Sequence, residues 1–168
     1  MKLVEIAKKI EETLNSFDTN EFKLALASAA SEKRIVVRDK LQIPLKECLE
    51  RAVDNFQWEI EKKFEGYRDS VDIYGCSISD NCMIIIEIDA TRADQIAKKI
   101  VSRFYHVMQS GIQNVIYVAL CYPGTDSMNL KECEKYLGFG HDILGKIHDK
   151  ALFISAFVSE QNNHIKIS

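Results

Sequence analysis

A chain of 168 residues, 46% hydrophobic and 28% charged, has room for one domain with a substantial core. No apolar run approaches the roughly 18 residues that span a bilayer, and the opening MKLVEIAKKIEETL is charged and amphipathic, unlike a signal peptide. A net charge of −3 argues against a simple electrostatic nucleic-acid binder, although carboxylates at a metal site would add negative charge locally.

Five cysteines (Cys48, Cys76, Cys82, Cys121 and Cys133) form an odd set without a CxxC pair. That pattern suits reduced thiols better than a disulfide framework or a zinc knuckle, so a cytoplasmic location is expected. Basic residues cluster at Lys33, Arg34, Arg38 and Lys40, and again at Lys98, Lys99 and Arg103. Each cluster reads as a solvated face ahead of a phosphate track.

In chain order, residues 3–14 place Leu3, Ile6, Ala7, Ile10 and Leu14 on one helical face. Residues 20–33 are so rich in apolar side chains, from Phe22 through Leu24, Leu26, Ala29 and Ala30, that burial on more than one side is expected. The short run Ile35, Val36, Val37 fits either a strand or a connector. Pro44 suits a first helical turn, and the spacing of Leu45, Leu49, Val53, Phe56, Ile60 and Phe64 predicts one helix to about residue 64, closed by Gly66. Trp58 falls on the opposite side of that wheel, which makes it a half-covered surface group or a partner contact.

Residues 70–78 and 82–89 predict a hairpin across Ser79-Asp80-Asn81, with the second strand buried on both faces until its acids. Thr91, with Asp94 three residues on, predicts a helix start. Ala93, Ile96, Ala97, Ile100, Val101, Phe104, Val107 and Met108 form the apolar stripe that follows, up to Gly111. Residues 114–122 predict a second buried strand, parallel to the first through a βαβ crossover and stopped by Pro123-Gly124. A helical region at 130–148, interrupted near Gly138 and Gly140, and a strand at 151–158 complete the core. Residues 164–167 add an edge strand or a frayed tail. The whole reads as a single domain, with 1–40 a helical extension and 41–168 the α/β core.

The acids carry the chemistry. Side chains two apart in a strand share a face, so Glu87 and Asp89 project together, and the hairpin can bring Asp72 beside them. Such carboxylates, with the carbonyl of Ile88, make an oxygen-donor site for Mg²⁺ or Mn²⁺. A metal-activated water there can attack a phosphodiester, with Asp89 orienting or deprotonating it.

Asp72, then Glu87-Ile88-Asp89, then an amphipathic helix and a parallel strand resemble the PD-(D/E)xK nuclease superfamily over residues 45–122. The resemblance implies a restriction endonuclease-like mixed sheet flanked by helices and a Mg-dependent endonuclease acting on DNA. It also implies a homodimer, with Asp72 and Glu87 as metal ligands. Asp89 stands where the family carries its lysine, and Val71 stands where it carries proline. The family core also has three antiparallel strands before the crossover helix, and only one hairpin is evident here. Residues 67–69 or 35–37 are the candidates for the missing strand. Lys63 and Glu59, on the expected helix, are candidates to supply the absent lysine or an extra acid. Arg92 and Gln95 are candidates for phosphate contact, and basic side chains near Arg92 or in the 33–40 cluster are the candidates to hold DNA.

Two other readings stand beside this one. A catalytically inactive nuclease-fold module, binding DNA or protein, accounts for the missing lysine and acidic charge. An unrelated α/β protein binding a small molecule at its strand ends accounts for the crossover alone. His141 and His148, seven apart, lack a third ligand for zinc, and Cys121 lacks a base partner.

Overall fold

The computed structural model describes residues 3–29, 31–89, 92–122 and 128–168. The expectations resting on Ala30, Thr91, Pro123 and Gly124 lie outside the described residues. Helices α1 (Leu3–Ser16) and α2 (Asn20–Ser28) come first, followed by the short helix α3 (Lys33–Val37). A π-helical turn (Arg38–Gln42) joins α3 to α4 (Ile43–Ala52). Strands β1 (Gln57–Lys63), β2 (Ser70–Ser77) and β3 (Cys82–Asp89) follow, then α5 (Asp94–Ser110) and β4 (Asn114–Cys121). Helix α6 (Leu130–Ile147) and strands β5 (Ala151–Val158) and β6 (Ile165–Ile167) close the chain.

The strands form one sheet in the order β1-β2-β3-β4-β5-β6. β1, β2 and β3 are antiparallel, β3, β4 and β5 run parallel, and β6 returns antiparallel on β5. Parallel neighbours need long crossovers, and α5 and α6 are those crossovers. The fold is thus mixed α/β, with an open six-stranded sheet.

Both faces of the sheet are covered. On one, Ile73, Ile84, Ile86, Ile116, Val118 and Ile154 meet Ile6, Ile10 and Leu14 of α1 and Leu45 and Leu49 of α4. On the other, Tyr74, Met83, Ile85, Val115 and Tyr117 meet Ile96, Ile100 and Phe104 of α5 and Leu137 and Leu144 of α6. Every residue of β3 is buried, as its unbroken apolar run predicts.

Several expectations are corrected. The helix predicted to run to residue 64 ends at Ala52, and residues 57–63 form the edge strand β1. Gln57, Glu59, Glu61 and Lys63 alternate with Trp58, Ile60 and Lys62, a period of two hidden inside an apparent helical stripe. Trp58 is consequently buried, 8% exposed. Its indole lies on Gly75 of β2, where an added Cβ would come within 2.9 Å of the ring. Residues 35–37 are helical, not extended. In α2 only Phe22 is buried, and Leu24 is 65% exposed, so burial on more than one side is not found. Helix α6 runs through Gly138 and Gly140 without interruption. Gly140 packs close against α5 and β5, for an added Cβ would meet Ile100 Cδ1 at 2.4 Å and the Phe153 ring at 3.1 Å. Val101 and Met108 lie on the solvent side of α5, outside its buried stripe.

The N-terminal helices are stitched to the sheet. Lys23 of α2 donates from Nζ to the carbonyls of Ser159, Glu160 and Asn162 in the β5–β6 turn. The π turn has a local cause. Pro44 offers no N–H to the preceding turn, so the helix there cannot keep its regular i→i−4 ladder. The wider turn carries Gln42, 3% exposed, whose Nε2 donates to the backbone carbonyl of Asp72.

Candidate functional site

The strand ends bring the three acids together. Glu87 and Asp89 share the α5 face of β3, and Asp72 stands one residue beyond the last paired position, Ile73 opposite Ile86, on β2. Asp72 Oδ2 accepts from the backbone N–H of Ile88 at 2.7 Å. This bond and the Gln42 contact on its carbonyl hold Asp72 at the lip of the sheet from both sides.

At the centre lies Lys99 of α5. Its Nζ is 2.9 Å from Glu87 Oε2, 2.9 Å from Asp89 Oδ1 and 3.4 Å from Asp72 Oδ2. It also donates to the carbonyl of Ile88 at 3.3 Å. All four oxygen donors singled out from sequence therefore converge on one nitrogen. The three carboxylate oxygens, each within 3.4 Å of that nitrogen, lie no further apart than twice this distance.

Arg103, one helical turn on, fixes Glu87 from its other oxygen, Nε to Oε1 at 2.5 Å. Its Nη2 donates to the Ser70 carbonyl at 2.8 Å, and Nη1 reaches Asp69 at 3.3 Å. Lys99 and Arg103 thus do not belong to a solvated face, as the basic cluster 98–103 suggests. Lys98 alone of the three is exposed. The signal was present in the spacing: Lys99, Arg103 and His106 recur at i, i+4 and i+7 beside the buried stripe, so they share the flank of α5 that meets β2 and β3. Lys63 and Glu59 take no part. Both are exposed on β1, and Glu59 pairs with Lys62. Arg92 is engaged by Asp94, whereas Gln95 lines the site.

The electrostatics follow from the count of charges. With Asp69 on Arg103, four carboxylates share two cations, so negative charge is in surplus when all are ionised. Burial pushes the Glu87 carboxyl up to about 7, against the pull of Lys99 and Arg103. Burial likewise raises Asp89. For Lys99, burial disfavours the charge, but Glu87, Asp89 and Asp72 together outweigh it and hold its pKa above the usual lysine value. These directions agree, because surplus negative charge in a dry site attracts protons to every group in it.

Among the described residues no group of three or more His, Cys, Asp and Glu stands ready to hold a metal ion. The ammonium of Lys99 takes the point where the acids meet. The donor chemistry nevertheless fits a hard divalent cation, since all the available ligands are oxygens. Glu87 Oε2 and Asp89 Oδ2 are buried without a hydrogen-bond partner. Glu87 Oε2 touches Lys99 at ion-pair distance but without hydrogen-bond geometry. Buried, unsatisfied carboxylate oxygens are costly, and a cation is one way to satisfy them.

Above the acids is a cleft of about 550 Å³. Asp72, Asp89 and Lys99 line it together with Glu61, Gln95 and Tyr122. Glu61 is held at φ +50°, an uncommon left-handed conformation for a non-glycine residue inside a strand. No helix among the described residues is long and apolar enough to cross a membrane. No family model matches the chain, and no curated protein matches it in sequence.

Proposed function

We propose that this site is a Mg²⁺- or Mn²⁺-dependent phosphodiesterase centre acting on DNA, built on a restriction endonuclease-like core. The observation that carries the reading is Lys99. The resemblance calls for a lysine among the acids, Asp89 replaces it in the strand, and α5 returns an ammonium to within 2.9 Å of that same Asp89. The strand β1 supports the reading further, since with β2 and β3 it supplies three antiparallel strands ahead of the crossover helix.

Asp72, Glu87 and the Ile88 carbonyl are the groups that would hold the ion. Such an ion supplies Lewis-acid polarisation of the phosphodiester and a more acidic water. Ion and ammonium carry like charge and compete for the same oxygens, so Lys99 would turn toward the cleft and face the phosphate. Asp89, whose Oδ2 has no hydrogen-bond partner, is the acceptor for the proton of the attacking water. Arg103 aims Glu87 and favours its ionised form against burial, while Gln42 and the Ile88 N–H keep Asp72 in place.

One observation favours the non-catalytic alternative: Lys99 already neutralises much of the acid cluster without any ion. Incubating plasmid, linear and single-stranded DNA with the chain in Mg²⁺ or Mn²⁺ separates the two. Cleavage that Asp89→Asn lowers by about 100-fold or more supports the hydrolase. Intact DNA, with no calorimetric metal signal that Asp72→Ala and Glu87→Ala abolish, leaves the binding module.

A further inference from the structure

The acids in the cleft carry surplus negative charge, so they repel a polyanion unless another part of the lining attracts one. The N-terminal segment supplies that part. Leu26 of α2, then Ser31, then Lys33, Arg34 and Val37 of α3 line the same cavity as Asp72, Asp89 and Lys99. Lys33 and Arg34 are exposed, and among the described residues neither makes an ion pair. Their neighbours in the sequence differ: Arg38 is engaged by Asp39 and Lys40 by Glu21. Two uncommitted cations therefore share the cleft with the acids, while Arg38 and Lys40 are not part of its lining.

At about 550 Å³ the cleft falls in the size range of pockets that enclose a small ligand, a scale that suits a nucleotide or two of one strand. Beside the cations the lining is apolar or aromatic, from Leu26, Val37 and Tyr122. Cations for a backbone next to an aromatic edge for a base are the usual components of a single-strand groove.

We propose that Lys33 and Arg34 form a phosphate grip on the N-terminal helical segment, and that the cleft takes one unpaired DNA strand, with the gripped phosphate adjoining the one over the acids. The proposal rests on the DNA reading above for the identity of the polyanion, but its test does not depend on cleavage. Binding of a fluorescently labelled single-stranded oligodeoxynucleotide and of its duplex is measured by polarisation across a salt series, with chelator present so that nothing is cut. The full chain is expected to bind the single strand at least tenfold more tightly than the duplex. Lys33→Glu with Arg34→Glu is expected to weaken single-strand binding more than tenfold at about 0.1 M salt. Lys33→Ala with Arg34→Ala is expected to reduce the salt slope by about 1.4, the loss of two phosphate contacts. Both residues are exposed, so the melting temperature should not move. An unchanged slope and affinity in both variants overturns the grip, and equal or tighter binding of duplex overturns the single-strand assignment. If wild-type chain cleaves DNA in Mg²⁺ while the variants keep the wild-type slope, the grip alone is wrong. If the slope falls as expected but no DNA is ever cut, the grip stands and the hydrolase reading is the one that fails.

Discussion

Replacing Lys99 by methionine removes the charge at the centre of the acids while keeping most of the side-chain volume. At separations of 2.9, 2.9 and 3.4 Å, each attraction amounts to about 5 kcal/mol gross at an effective dielectric near 20. Desolvation of the ammonium, 23% exposed, offsets much of that sum. What remains is the cost of leaving buried carboxylates without their cation, about 3–5 kcal/mol at pH 8. The cost must depend on pH. Glu87 has a folded-state pKa raised from 4.5 to about 7. Its favourable contribution is therefore complete below about 4.5 and is lost as pH rises through 7, a span worth about 3 kcal/mol. Without Lys99 the carboxyls rise further, so the variant loses stability over a higher and wider window than the wild type does. Urea unfolding at pH 5, 6, 7 and 8, followed by circular dichroism, measures this. The difference between the two chains should be small at pH 5 and reach several kcal/mol at pH 8. A penalty below about 1 kcal/mol at pH 8, or one equal at pH 5 and pH 8, would refute the placement of Lys99 as the counter-charge of the cluster. Mn²⁺ should also raise the melting temperature of Lys99→Met more than that of the wild type, because the ion then meets no competing ammonium.

The remaining expectations concern the frame around the site. Gly75→Ala drives a Cβ to 2.9 Å from a rigid indole ring and should cost about 1–3 kcal/mol. A shifted emission from Trp58, the single tryptophan of the chain, should accompany it. An unshifted spectrum at full stability would mean that β1 does not pack its indole on β2. Glu61→Gly relieves the left-handed backbone at φ +50° and should stabilise the chain by about 1 kcal/mol. That corresponds to a rise of about 2–4 °C in melting temperature for a domain of this size. A fall would mean that the Glu61 side chain makes up for its strain.

How far the site was legible in the sequence differs from residue to residue. Asp72, Glu87 and Asp89 were readable because strand alternation and hairpin register are local rules, and two short apolar strands around a turn tripeptide leave few other pairings. Lys99 and Arg103 were readable only in principle. Their spacing marks one flank of α5, but whether that flank meets solvent or sheet depends on how the helix lies on β3, and charged residues at such borders are more often solvated. Lys33 and Arg34 were visible only as members of a basic cluster that read as a solvated face. Their place in the same cleft as the acids comes from a path through α2, the π turn and the Lys23 tether.

Hydrophobic periodicity by itself determined the buried strands β3 and β4, the crossover helix α5 between them and the shared face of Glu87 and Asp89, because each of these is set by neighbours within a few residues. It failed at β1. Val53, Phe56, Ile60 and Phe64 satisfy a helical spacing, yet the edge of β2 offered open backbone hydrogen bonds and Gly75 offered a seat for Trp58, and that pairing outweighed the local preference. Only the tertiary structure decided that a lysine from α5 would stand among the three acids. A buried cluster of like charges requires a counter-charge, and the one within reach belongs to whichever helix the sheet happens to pack against its ends.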